Sequence, residues 1–150
     1  MSKLKCFLQP IALPCCSSFV MLLLRLIVGL AFVQHGWGKI QNPFGWMPPD
    51  AGVPGFFQFL AALAEFGGGI ALILGLLTSL AMLGLAITML VATSMHAFVM
   101  KDPMVTQSQG GSSFELPLVY LGISLLIMSL GAGKYSLDAK MFGTRSCDKT

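Results

Sequence analysis

A chain of 150 residues that is 55% hydrophobic and only 10% charged, with a mean hydropathy of +0.81, does not fit a water-soluble domain, in which about 25% of residues carry charge. A formal charge of +3, with no basic stripe interleaved with aromatics, excludes a nucleic-acid-binding surface. The length fits one domain, and the 17 glycines and 10 methionines suit helices packed closely in lipid.

Residues 1–17 read as an uncleaved cytoplasmic lead-in. Lys3 and Lys5 precede a weakly apolar stretch that Pro10 and Pro14 interrupt too early for a signal peptide. Four segments then approach the 17–25 apolar residues that crossing a bilayer takes. They run from about Phe19 to Trp37, Phe56 to Leu77, Leu80 to Met100 and Phe114 to Leu130. The stretch from Gln41 to Gly55, with four prolines and three glycines, cannot be continuous helix, and Lys101 to Ser113 is equally polar. Only a turn around Gly75 to Ser79 separates spans two and three, so these are antiparallel neighbours. A short tail of mixed charge follows. The expected organisation is therefore a lead-in over 1–17, a single four-helix domain over 18–133 and a cytoplasmic tail over 134–150.

Six basic residues (Lys3, Lys5, Lys134, Lys140, Arg145 and Lys149) fall on one side of this arrangement, and Lys39 and Lys101 on the other. That asymmetry predicts an all-α four-transmembrane-helix bundle with both termini cytoplasmic and the longer loops periplasmic, in the cell (inner) membrane. Small residues at helical spacing (Gly29 and Gly36 in span one; Ala64, Gly67, Gly68, Ala71 and Gly75 in span two; Ala81, Gly84 and Ala92 in span three) mark the expected helix contacts. The four cysteines (Cys6, Cys15, Cys16 and Cys147) have no metal-ligand spacing.

The polar residues inside the spans carry the functional reading, because each charge at mid-bilayer costs at least about 2.5–3.5 kcal/mol. Counting 1.5 Å per residue, Arg25 lies about 20 Å below the far end of span one and Glu65 about 14 Å below the start of span two. Those depths predict an ion pair between Arg25 and Glu65 that fixes register. The rival reading makes Glu65 a proton-accepting or ligand-binding carboxylate. His35 and Lys39, four apart, share one side of span one, and His96, five residues before Lys101, lies at the depth of His35. A shared polar pocket of His35, Lys39, Glu65, His96 and Glu115 competes with two interfacial imidazoles bonded to headgroups. Ser112 to Glu115 reads as a capping box that Pro117 follows at a helix opening. Trp37, Trp46, Phe44, Phe56 and Phe57 read as an interfacial aromatic belt, with Trp37 also a candidate pocket wall. Haem ligation by His35 and His96 has no further support, and neither does a metal site.

The chain resembles the DoxX family of small four-helix membrane proteins. The resemblance rests on Leu24-Arg25-Leu26 with Gly29, on His35-Gly36 with Lys39, on Ala64-Glu65 to Gly68, and on Gly75-Leu76. It continues through Phe114-Glu115-Leu116-Pro117 and Gly131 to Asp138, so it covers roughly residues 20–140. The Thr78-Ser79 turn departs from it by lacking a basic residue, and the cysteine-bearing lead-in has no counterpart. The resemblance implies a membrane-embedded polar set of Arg25, His35, Lys39, Glu65 and Glu115, and quinone-linked or redox-stress-related work. No flavin, haem-attachment or dithiol motif is present to supply electrons. The leading expectation is therefore a membrane oxidoreductase component with quinone as ligand, its catalytic residues unassigned. Its rivals are a non-catalytic accessory or assembly subunit, packed against other membrane subunits or its own copies, and a small-molecule permease.

Overall fold

A computed structural model describes residues 7–106 and 110–145. Lys3, Lys5, Cys6, Cys147 and Lys149 lie outside the described residues. The main elements among the described residues are helices: α1 (Cys15–Gln41), α2 (Gly55–Leu74), α3 (Thr78–Ser94), α4 (Glu115–Leu130) and the short α5 (Leu137–Phe142). α3 continues through a π turn over Met95–Val99. Three of these helices are long and apolar enough to cross a membrane. The fourth, α4, is apolar but has 16 residues, about 24 Å of helix.

Polarity is inverted relative to a soluble protein. Ser18, Arg25, Gln58, Glu65 and Ser124 are buried, while Ile27, Ile87 and Val119 face outward. A surface of that kind needs lipid, because in water it would be one continuous exposed apolar face. Inside, Met21, Val28, Phe32, Leu72, Met82, Leu85, Met89 and Ile127 form the core that all four long helices share.

Glycines set the antiparallel register of α1 against α2. A Cβ on Gly36 would lie 2.5 Å from the Phe66 nitrogen, and one on Gly69 would lie 2.8 Å from the Val33 nitrogen and 2.9 Å from the Gly29 carbonyl oxygen. With little hydrophobic drive between helices in lipid, such backbone-to-backbone approach supplies the contact energy. Gly69, unremarked among the small residues of span two, thus matters more than Gly67, whose Cβ would meet only the end of Leu63.

This register corrects the expected Arg25–Glu65 pair. Because Gly36 sits opposite Phe66, Arg25 reaches the far end of α2 instead. Its Nε donates to Leu72 O and its Nη2 to Ile73 O, both at 3.0 Å, while Nη1 donates at 2.8 Å to Ala132 O and Tyr135 O. The last carbonyls of a helix lack intrahelical donors and carry its negative dipole end. A fully buried guanidinium with five donors meets that need. Gly75, at φ +67, closes α2, and a Cβ there would run into the Arg25 guanidinium.

Among the described residues, the stretch from Gly131 to Arg145 packs back onto the bundle. Asp138 accepts from Leu77 N at 2.7 Å and from Thr78 N at 2.8 Å, which supports Leu77 in its left-handed conformation at φ 47. Ser136 caps α5 by accepting from Ala139 N. Part of the lead-in packs there too: Ile11 N donates to Leu130 O, and Gln9 Nε2 donates to Phe142 O. α1 begins at Cys15, straight after Pro14, so it is longer than the span expected from Phe19. The Cys15 thiol lies 3.2 Å from the Tyr135 hydroxyl, a hydrogen bond that pushes the phenol above its ordinary pKa.

Gly69→Ala should lower the melting temperature of the protein in mild detergent by about 5 °C or more, since backbone, not a flexible side chain, blocks the added methyl. Gly122→Ala, where nothing lies within 4 Å of the new Cβ, should leave it unchanged or raise it by about 2 °C. Circular dichroism melts of the two variants check both.

Candidate functional site

At the opposite end of the bundle from Arg25, the α1–α2 register places Lys39 beside Glu65. The Lys39 Nζ donates to both carboxylate oxygens, at 2.6 and 2.7 Å. Glu65 is only 2% exposed, and this ammonium is its ion-pair partner. Leaving a buried carboxylate unpaired would cost about 3–5 kcal/mol. Because Gly36 faces Phe66, the first two turns of α2 rise past the end of α1. Glu65 is therefore level with the last turns of α1 and not with its middle.

The connection between α1 and α2 folds over this pair. The Trp46 ring lies 4.5 Å from the Lys39 Nζ, within range of a cation–π interaction, and its Nε1 donates to Gln58 O at 3.0 Å. Buried Gln58 ties the loop down from α2. Its Oε1 accepts from Met47 N at 2.9 Å and its Nε2 donates to Val53 O at 2.8 Å. Phe44 stacks on Phe59 with ring centres 5.2 Å apart. Trp46, expected in the aromatic belt, is thus the residue that covers the ion pair.

Next to the pair lies a cavity of about 150 Å³. His35, Lys39, Glu65 and His96 contribute its polar wall, and Phe32, Tyr120, Met89, Ala92, Leu116 and Pro117 its apolar wall. The Phe32 and Tyr120 rings touch at 4.9 Å between centres, and His35 stands edge-on to Tyr120 at 6.3 Å. His35 is exposed and His96 partly buried, so one face of the cavity opens outward. His96 is itself held: its Nδ1 lies 2.7 Å from Asp102 Oδ2.

Four of the residues expected at a polar pocket therefore share one wall, contributed by three helices. Two others do not. Glu115, the first residue of α4, is exposed and absent from the wall; Phe114, not Ser112, is the N-cap, and no side-chain cap bond forms. The capping box is lost because the helix starts three residues after the serine that would close it. Trp37 also stands outside the cavity, 58% exposed and packed on Phe66 at 5.7 Å. With Gly36 pressed against α2, the next side chain points away from the cavity. Phe32 lies on the sequence stripe that joins Arg25 to Lys39, whereas Tyr120, the other aromatic wall, reads in the sequence as an ordinary core residue. Among the described residues no group of three metal-ligating side chains converges.

Comparison with known proteins assigns the family. The model of the DoxX family matches residues 20–100. The chain belongs to the DoxX family. It is 33% identical over 120 residues to inner membrane protein YqjF of Escherichia coli, covering 78% of this chain and 88% of the relative. It is 31% identical over 121 residues to a Haemophilus influenzae protein named only as uncharacterized, with 79% and 88% coverage. The Bacillus subtilis protein named "Putative oxidoreductase CatD" is 29% identical over 123 residues, with 81% and 86% coverage. No solved structure matches the chain. This DoxX protein is thus a multi-pass membrane protein whose Arg25, Lys39 and Glu65 all fall inside the matched segment.

If Gln58 fastens the loop over the ion pair, Gln58→Leu in a Trp37→Phe background should release Trp46. Its fluorescence should shift to longer wavelength, and amide exchange over 43–54 should quicken roughly tenfold or more, for two lost hydrogen bonds of about 1 kcal/mol each. Exchange within α1 and α2 should stay slow.

Proposed function

We propose that this DoxX protein binds the ring of a lipophilic quinone-class molecule in the His35–His96 cavity and serves as a membrane component of a redox system. The observation that carries this reading is the joining of an aromatic cleft to a buried, charge-compensated pair with two imidazoles at its rim. A quinone ring needs flat apolar walls and hydrogen-bond partners at its oxygens. Phe32 and Tyr120 offer the walls, and His35 and His96 the partners. A cavity of about 150 Å³ suits one ring-sized headgroup, whereas drug-sized ligand sites run to roughly 300–1,000 Å³, so an isoprenoid tail would lie in the bilayer. Quinones, when bound, carry electron pairs together with protons. For the chain's own residues the role is to hold the ring and keep proton-exchanging side chains beside its oxygens. The ammonium of Lys39 pairs with buried Glu65, and the Trp46 loop screens both.

The name of the Bacillus subtilis relative, an oxidoreductase, supports redox work at low identity. The name of the Escherichia coli relative supports the inner membrane. In this reading the termini are cytoplasmic and the cavity opens near the periplasmic side, on the basis of six basic residues against two.

Calorimetric titration of the detergent-purified protein with short-chain ubiquinone and menaquinone analogues tests the proposal. Saturable binding is expected, weakened about tenfold or more by His35→Ala, which removes one partner without touching the ion pair. Absence of saturable binding, or binding that neither His35→Ala nor Glu65→Gln alters, overturns it.

A further inference from the structure

The segment joining α3 to the following loop is built irregularly around one side chain. α3 ends in a π turn at Met95–Val99, closed by Met100 N donating to Met95 O at 2.9 Å. Lys101 then takes a left-handed conformation at φ 56. A lysine there gains nothing from that geometry, and non-glycine residues hold it at a cost only where surroundings impose it. What the irregularity achieves is to turn Asp102 back onto His96. Asp102 N donates to His96 O at 2.9 Å, while Asp102 Oδ2 lies 2.7 Å from His96 Nδ1. Backbone and side chain together staple residues 96–102 into a ring. π turns of this kind recur at functional sites.

The chemistry of the contact is directional. An ionised carboxylate only accepts, so Asp102 keeps a proton on Nδ1 of the imidazole. His96 lines the cavity, and the ring nitrogen left for an occupant is Nε2, which in the neutral ring bears a lone pair. The other titratable groups on the cavity wall are His35 and Lys39 from α1, Glu65 from α2 and Tyr120 from α4. Both oxygens of Glu65 are engaged by Lys39, so the acceptor that Asp102 prepares at His96 is not duplicated by the carboxylate.

Resting on the quinone-ring reading above, we propose that Asp102 is a positioning residue which fixes His96 as an acceptor, so that the cavity selects a ring bearing a hydroxyl, the hydroquinone form, over its carbonyl or ether counterparts. A hydroxyl donates to Nε2, whereas a carbonyl or ether oxygen would face the lone pair without a proton between them.

Two redox-stable probes separate the cases in mildly alkaline buffer, where an imidazole carries one ring proton: hydroquinone monomethyl ether, with one hydroxyl, and hydroquinone dimethyl ether, with none. The wild-type protein should prefer the monomethyl ether about tenfold, the value of one hydrogen bond. In Asp102→Asn the amide can donate to Nδ1 and move the ring proton to Nε2, so the preference should fall to about one or invert while the dimethyl ether still binds. A purely structural Asp102 would change both affinities alike and leave their ratio intact, which would overturn the assignment. Nitrogen-15 spectra of the wild-type imidazoles, assigned with His35→Ala, give a check that needs no Asp102 variant. A proton on Nδ1 of His96 supports the assignment, and a proton on Nε2 overturns it. Equal binding of both probes by the wild-type chain defeats only this inference, whereas no saturable binding of either defeats the ring-binding reading as well.

Discussion

A carboxylate buried between two helices has to be answered by a cation on the neighbouring helix, and the rest of the site follows from that demand. Glu65 has its partner because Gly36 lets α1 approach α2 closely enough for Lys39 to grasp both of its oxygens. The same approach fixes the helix register, sets the end of α1 below the start of α2 and leaves a step. Trp46 and the loop that Gln58 fastens fill one side of this step. The cavity that reaches His96 and Tyr120 lies along the other side. Packing and electrostatics are one constraint here. A methyl group at Gly36 would push the helices apart and strand the carboxylate.

The opposite end of the bundle is secured by a different chemistry. Arg25 offers its donors to carbonyls of α2 and of the 132–135 segment, and Asp138 returns two acceptors to the α2–α3 turn. Each of the hydrogen bonds of the guanidinium ends on a backbone oxygen. Arginine suits this role because its fork of fixed N–H groups serves several acceptors at once. Lysine suits the other end, where a compact ammonium can meet a carboxylate and still present a face to an indole ring. The two intramembrane cations therefore divide between holding the fold and holding the site, a division their positions in α1 alone do not reveal.

Much of this was legible in the sequence, for identifiable reasons. Hydropathy located the four helices because a bilayer demands long apolar runs, and the proline-rich 42–54 connection could not be anything but a loop. Depth counting brought His35 and His96 to one level, since helical rise is nearly constant, whereas it set Glu65 deeper, beside Arg25. Counting failed for Arg25 because depth was measured from presumed helix ends, whereas the true register is set by Gly36 and Gly69, and close approach leaves no mark in hydropathy. The choice between Trp37 and Trp46 required knowing which face of α1 meets α2. Glu115 belonged to the expected polar set, as the family resemblance also implied, yet α4 begins at this residue and leaves it exposed. The packing of 131–145 has no sequence signal because it rests on single long-range contacts, carbonyls that meet Arg25 and an Asp138 that meets the α2–α3 turn. Asp102 was hidden by a π turn and a left-handed lysine, neither of which has a sequence signal.

The central claim is that Lys39 and Glu65 act as one charge-compensated unit. A double-mutant cycle measures it most directly, with Lys39→Met, Glu65→Leu and the combination followed by reversible unfolding in mixed micelles. The account predicts that each single change costs about 3 kcal/mol or more, and that the double variant recovers at least about 2 kcal/mol of their sum. Additive losses, within about 0.5 kcal/mol, would contradict it, because the two groups would then be stabilised independently of each other.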